Sequence, residues 1–323
     1  MAEDEPAQKA ITSFNPDLAE QIKESGGITL DYCFQCGTCT GICPWGEFIQ
    51  FSSRRIIRQA QLGLFDPKSD NTWLCTTCLQ CLEVCPRGVR IPDIMAALRA
   101  IALEDGRNIP TTVTNALDSL FENGNPWLRP KRERMDWAKD LDVRVLEKKD
   151  TTDVLYFVGC TASYDPRAQN IAKAMVKILN HLEVDWGVLK DEKDCGNCAK
   201  TLGEDMLFDA LSKDNKKKLK KMAVQRIITT SPHSYSAHKM YELGENIKIQ
   251  HYTEFLAEKI RDGTLKFTNS IDKKVTYHDP CYLGRHHNIF EEPREVLKAI
   301  PGIQLVEMKR NRKFAMCCGG GGG

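Results

Sequence analysis

The sequence has no apolar run near the roughly 20 residues needed to cross a bilayer, so no membrane span is expected. It has almost no net charge: 45 Lys and Arg stand against 44 Asp and Glu. That balance gives no electrostatic reason to expect nucleic acid or an anionic membrane as partner. The opening, "MAEDEPAQKAITSFNPDLAE", is acidic and polar and lacks a basic-then-apolar secretory leader. A cytoplasmic location is the expectation, and thiols there stay reduced. No Gly-x-Gly-x-x-Gly follows a strand-like run, so NAD or flavin is expected only on a partner. What the sequence does have is cysteine. Fourteen of them in a reducing compartment point to metal or redox cofactors before disulfides.

Eight lie in two runs of one pattern, "CFQCGTCTGICP" and "CTTCLQCLEVCP". Each reads Cys, two residues, Cys, two residues, Cys, three residues, Cys, Pro, which is the bacterial ferredoxin run. Three cysteines on one loop wrap three corners of a 4Fe–4S cube, and the fourth reaches the other cube. Cys33, Cys36, Cys39 and Cys85 are expected to hold one cluster. Cys75, Cys78, Cys81 and Cys43 are expected to hold the second. A zinc-binding scaffold is the competing reading, but zinc favours two Cys-x-x-Cys pairs and fits these runs poorly. A helix is predicted between the runs, from Ser53 to Leu62, longer than small ferredoxins carry. Trp45, Phe51 and Trp73 read either as cluster shields or as plain core.

After the second run, "IPDIMAALRAIALEDG" reads as a helix with Ile94, Ala97, Leu98 and Ile101 on one face. Residues 107–150 are mixed and charged and read as a connecting segment. From Asp153 short β-rich runs ("DVLYFVG", "QRIITT", "IKIQHY", "KVTYHD") alternate with helical stretches, which argues for an α/β domain with a largely parallel sheet. This half repeats itself. One strand-like run ends at Cys160 and another at Cys281. Each is followed by a helix, a short strand and a Cys–Gly step, "DCGNC" or "CCGG". Cys160 to Cys195 is 35 positions and Cys281 to Cys317 is 36.

"SSRRIIRQAQLGL", "WLCTTCLQCLEVCPRGVRIPDI", "TYHDPCYLGRHHNIFEEPREVLKAIPG" and "CCGGGGG" resemble heterodisulfide reductase, with its small ferredoxin subunit fused to a catalytic subunit made of cysteine-rich CCG domains. The resemblance implies an α-helical ferredoxin-type domain with two 4Fe–4S clusters, followed by an α/β domain of two CCG-type repeats. The expected boundaries are a polar segment at 1–30, the dicluster domain at 31–106, a linker at 107–150 and the CCG domain at 151–323. Its repeats would cover about 151–262 and 263–323, the second incomplete.

In that family a CCG unit supplies one cysteine after a strand, an adjacent pair and a later Cys-x-x-Cys. These hold a non-cubane iron–sulfur cluster, or in degenerate copies zinc or nothing. The resemblance therefore implies a reactive centre at Cys281, Cys317 and Cys318, with a final Cys-x-x-Cys expected beyond Gly323. The first unit departs from the pattern, with Asp194, Ser231 and Ser234 where thiols are expected. Cys160, Cys195 and Cys198 could hold a metal there, with His233 as a fourth ligand, or the unit is a structural remnant. His278, Asp279, His286 and His287 read either as proton donors at the centre or as the residues that shape its turn. The basic run "DNKKKLKK" reads as a solvated helix face or a docking surface for an acidic partner.

The function implied is electron transfer from a partner through two cubane clusters to a centre that reduces a disulfide or similar acceptor. Two related roles share the wiring: a subunit of a quinone-linked dehydrogenase for glycolate or glycerol 3-phosphate, and a subunit of an acyl-CoA or benzoyl-CoA reductase. A flavoprotein or a membrane quinone-linked subunit would be the partner.

Overall fold

The computed structural model describes residues 14–106, 108–147, 150–244 and 246–321. Most of the polar opening, and the last two glycines, lie outside the described residues. The chain divides into two compact units, Met1–Ile109 and Pro110–Gly323.

The first unit is helical: α1 (Leu18–Glu24), α2 (Thr38–Ile42), α3 (Ser53–Gln61), α4 (Gln80–Glu83) and α5 (Ile91–Asp105). The predicted helix between the cysteine runs is α3. Ser52 caps it, its hydroxyl accepting from the Arg55 N–H. Ile56, Ile57 and Ala60 bury one face, against Leu18 and Ile22 of α1 and Ile94, Ala97 and Leu98 of α5. Phe51 belongs to this core and Trp45 packs on it. Pro92 opens α5 and Gly106, at φ 69°, closes it.

The second unit begins earlier than its composition suggests. The segment read as a connection carries α6 (Thr111–Asn123), a 3-10 helix over Lys131–Ala138 and a two-residue strand, β1 (Val145–Leu146). Trp137 is buried in the core. The order then runs β2 (Thr151–Phe157), α7 (Cys160–Tyr164), α8 (Gln169–His181), β3 (Trp186–Leu189), α9 (Asn197–Leu202), α10 (Asp205–Lys221), β4 (Ala223–Thr229), α11 (Pro232–Lys239), β5 (Lys248–His251) and α12 (Tyr252–Arg261). It ends with β6 (Lys273–Val275), α13 (Gly284–His287), α14 (Glu292–Lys298) and β7 (Ile303–Leu305).

Five strands form one parallel sheet in the order β1-β3-β2-β4-β5. The run "VLYFV" is apolar throughout because β2 is covered on both faces. Val154, Tyr156 and Val158 meet α8 and α12 on one side, and Leu155 and Phe157 meet α10 and α11 on the other. β6 and β7 do not join this sheet. They pair with each other, also in parallel, with α13 and α14 between them in sequence. Cys160 thus follows one strand of a parallel pair and Cys281 follows one strand of another, and neither lies within a strand. Among the described residues no helix is long and apolar enough to cross a membrane.

Candidate metal centres

The two cysteine runs fold alike. Gln35 and Thr77 occupy the same place in their runs, and both have positive φ, 69° and 53°. Gly37 and Leu79 likewise correspond, at 86° and 61°, and each precedes the short helix that carries the third cysteine. The left-handed residues turn the chain tightly enough for successive cysteines to face one side. Second contacts fasten the loops. Gln61 donates to the Leu30 and Cys33 carbonyls at 3.0 and 3.2 Å. Arg99, buried on α5, donates to the Thr72, Trp73 and Cys75 carbonyls at 3.0, 3.3 and 2.7 Å.

None of the fourteen cysteines is in a disulfide. Cys33, Cys36 and Cys39 line one space with Cys85 from the other run, beside Arg54 and Arg87. Cys43 leaves its own run and lies beside Cys75, while Cys81 is close to Cys75, Cys39 and Cys43. Burial pushes the Cys39, Cys43 and Cys81 thiols up, and neighbouring thiolates add to the effect. The Thr38 hydroxyl pulls the exposed Cys36 thiol down. Thiols crowded so closely resist ionising together, and a cationic cofactor would supply the missing charge. Backbone and amide N–H groups already point at two sulfurs: Val89 N–H to Cys85 and Gln35 Nε2 to Cys33, both 3.3 Å. Among the described residues no His, Cys, Asp or Glu group is arranged for a single metal ion. A cube presents separate corners to separate thiols, so what bears on the fit is which thiols share a space: Cys85 joins Cys33, Cys36 and Cys39, and Cys81 lies near Cys39 as well as near Cys75 and Cys43.

In the second unit, Cys281, Cys317 and Cys318 sit on loops after β6 and β7. Two side chains hold the Cys317 segment in place. Arg285 donates to the Lys313 and Ala315 carbonyls, at 3.2 and 2.7 Å, and His278 Nε2–H donates to the Met316 carbonyl at 2.9 Å. Gly319 and Gly320 then aim their N–H groups at the Cys317 and Cys318 sulfurs, both at 3.4 Å. A Cβ at Gly320 would stand 3.4 Å from the Cys318 sulfur, and φ at Gly319 is 82°. The glycines therefore let backbone come up against the paired sulfurs and donate to them.

Asp279 is not positioned as a free acid. Arg294, fully buried, grips both its carboxylate oxygens at 2.6 and 2.8 Å and also holds Glu307. His286 stacks on Tyr282, with ring centres 4.1 Å apart, and His287 meets Tyr235 edge-on. Burial lowers the His287 pKa. His278 and Asp279 thus shape the loop, which is the second of the two readings for them.

The first half of the unit is arranged differently. Cys160 follows the carboxyl end of β2, and Glu192 and Asp194 follow that of β3, the end where α/β sheets gather ligands. Arg134 donates to the Cys160 sulfur at 3.3 Å and to Glu192 at 2.6 Å. The Cys160 thiol donates to Asp194 at 3.1 Å. Cys195 and Cys198 lie beside Asp194; burial pushes both thiols up and its carboxylate adds to that. His233 does not complete a ligand set with them. Its Nδ1 meets Asn197 Nδ2 at 3.1 Å, its ring packs on Tyr282 at 4.0 Å, and burial lowers its pKa to about 4. Sequence reasoning missed Arg134, Glu192 and Arg99. The one available signal was Arg99, a lone charge inside the apolar "IMAALRAIAL".

Replacing Arg99 with Met should leave three loop carbonyls without this donor and cost about 3 kcal/mol. The second cysteine loop should then take up iron more slowly than the first, read as biphasic colour development during anaerobic reconstitution. Uptake in one phase at the wild-type rate would show that Arg99 does not fasten the loop.

Comparison with known proteins agrees with this layout. A model described as a 4Fe-4S dicluster domain matches residues 29–89, and one described as a cysteine-rich domain matches 154–236 and 275–323. The probable iron-sulfur-binding oxidoreductase FadF of Bacillus subtilis is 37% identical over 96% of this chain and 53% of its own length. The EtfAB:quinone oxidoreductase of Syntrophomonas wolfei is 35% identical over 79% of this chain and 37% of its own. A dihydromethanophenazine:CoB–CoM heterodisulfide reductase subunit of Methanosarcina mazei is 33% identical over 92% of this chain and 79% of its own length. The chain spans about half the length of FadF and about a third of the EtfAB:quinone oxidoreductase. With its dicluster domain followed by a cysteine-rich domain of parallel strands and helices, the chain belongs to the heterodisulfide reductase-like family of iron–sulfur oxidoreductases.

Proposed function

We propose that this chain is the electron-conducting iron–sulfur subunit of a heterodisulfide reductase-type oxidoreductase. Cys33, Cys36, Cys39 and Cys85 would hold one 4Fe–4S cluster, and Cys75, Cys78, Cys81 and Cys43 the other. Cys281, Cys317 and Cys318 would ligate a third, catalytic centre in the second of two CCG repeats. When bound, these groups supply one-electron steps and, at the third centre, the two-electron reduction of a disulfide or similar acceptor. The chain's own residues supply the setting. Val89, Gln35, Gly319 and Gly320 donate hydrogen bonds to the sulfurs that would ligate iron. Gln61, Arg99 and Arg285 hold the loops that carry the thiols. Iron is favoured over a zinc scaffold because the match at 29–89 is to a 4Fe-4S dicluster domain.

The observation that carries the reading is the crossing of the two runs, with Cys85 lining the space of Cys33, Cys36 and Cys39. Quinone-linked electron transfer is the second reading, favoured by the relative named as an EtfAB:quinone oxidoreductase. The partner decides between them. Anaerobic isolation of the native complex from its host should yield a brown chain bound to another redox subunit. A flavoprotein that feeds reduction of a disulfide supports the first reading, and a membrane subunit that reduces quinone supports the second. A colourless chain with no redox partner would refute both.

A further inference from the structure

In the first half of the second unit the family pattern implies a metal, and the residues present do not fit one. An iron–sulfur cluster or a zinc ion needs several soft thiolates turned toward one space. Cys160, at the end of β2, has its sulfur taken on both sides, by Arg134 and by Asp194, and although Cys195 and Cys198 lie beside Asp194, no three His, Cys, Asp or Glu side chains among the described residues are arranged to hold a metal ion. The carboxylates are also committed. Glu192 accepts from Arg134 and the Gly159 N–H on one oxygen and from the Val158 N–H on the other, at 2.6 to 2.9 Å. Asp194 accepts from the Gly196 N–H at 2.7 Å and from the Cys160 thiol.

We infer that the Arg134 guanidinium replaces the metal in this half of the protein: it is the internal cation around which Cys160 and Glu192 close. Its side chain and that of Glu192 are 4% and 2% exposed, so the charge is as enclosed as a bound ion would be. It lies against the strand-end cysteine, where the family would place the metal. A guanidinium suits the position because it is always charged and offers donors in a planar fork, one arm to the sulfur and one to the carboxylate. The second half is built otherwise. There the buried arginine, Arg294, binds the carboxylates of Asp279 and Glu307, and the paired cysteines receive backbone N–H groups. The inference concerns the first half alone and stands apart from the reading of Cys281, Cys317 and Cys318.

The test uses the whole chain, reconstituted anaerobically with iron and sulfide and then supplied with zinc. Iron and zinc per chain should be the same for the wild type and for Cys160→Ala. Arg134→Met should lower the unfolding temperature of the second unit by roughly 10 °C, because Glu192 is left buried without its cation. Adding Glu192→Met should recover at least half of that loss. Loss of iron or zinc in Cys160→Ala would overturn the inference, since a metal would then sit on that sulfur. So would an Arg134→Met protein that melts with the wild type, or one that Glu192→Met does not rescue. Should Arg134→Met fail to fold, the metal content of Cys160→Ala and the folding of the double variant decide the matter.

Discussion

Replacing Cys43 with Ala is expected to remove the cluster held by Cys75, Cys78 and Cys81 and to spare the one held by Cys33, Cys36 and Cys39. Iron should fall from about eight atoms per chain to about four. The expectation runs against sequence proximity, because Cys43 is four residues from Cys39 and 32 from Cys75. It follows from the fold. α2 ends at Ile42, and Cys43 then turns away in extended backbone, at φ −64° and ψ 127°, to lie beside Cys75. Cys85 does the converse and lines the space of the first run. Iron counted with the electron paramagnetic resonance of the reduced protein separates the outcomes. One remaining uncoupled centre, also lost in Cys36→Ala, agrees with the crossed ligands. If Cys43→Ala instead destroys the site at 33–39, each run closes its own cube.

The second large effect concerns which half of the second unit reacts. In the native protein isolated from its host, Cys281→Ser or Cys318→Ser should abolish turnover and remove about four irons. Cys195→Ser should keep most activity. Its thiol contacts Ser234, and its carbonyl is held by the Tyr241 hydroxyl at 2.7 Å, so the loss there is about 1–2 kcal/mol of stability at a buried position. The contrast rests on donors. Cys317 and Cys318 have backbone N–H groups aimed at them, whereas Cys160 meets a carboxylate and a guanidinium. An inactive, folded Cys195→Ser beside an active Cys318→Ser would place the chemistry in the other half.

Much of this is legible in the sequence because its signals are local. The ferredoxin spacing needs only twelve consecutive residues, and the apolar run of β2 marks a strand covered on both faces. The helix between the cysteine runs announces itself through "SSRRIIRQAQ", with a serine cap and one apolar face. The charged segment 107–150 misleads for the opposite reason. "KRERMDWAKD" looks solvated, yet Arg134 finds its partners 26 and 58 positions away, in Cys160 and Glu192, and Trp137 reaches the core. No local pattern reports a partner that distant. The same holds for Arg99, whose three acceptors lie 24 to 27 positions back. β6 and β7 are legible as strands, but their separation from the main sheet is not, since strand-forming residues do not say which edge they join.

The matched backbones of the two cysteine loops have a consequence for which mutations the protein can absorb. At the place where the first loop has Gly37, the second has Leu79, in the same left-handed conformation but only 4% exposed. Backbone and side chain make opposite demands there. Glycine would relieve roughly 1 kcal/mol of steric strain but forfeit the larger contribution of a buried leucine, roughly 2 kcal/mol or more. Alanine would keep the strain and lose the packing. Asparagine would accept the conformation but place an amide at a buried position. Each routine replacement fails for its own reason, so a variant library at Leu79 should return almost nothing, while at Gly37, where only the Arg54 side chain stands near the missing Cβ, asparagine should cost only the strain of the left-handed backbone.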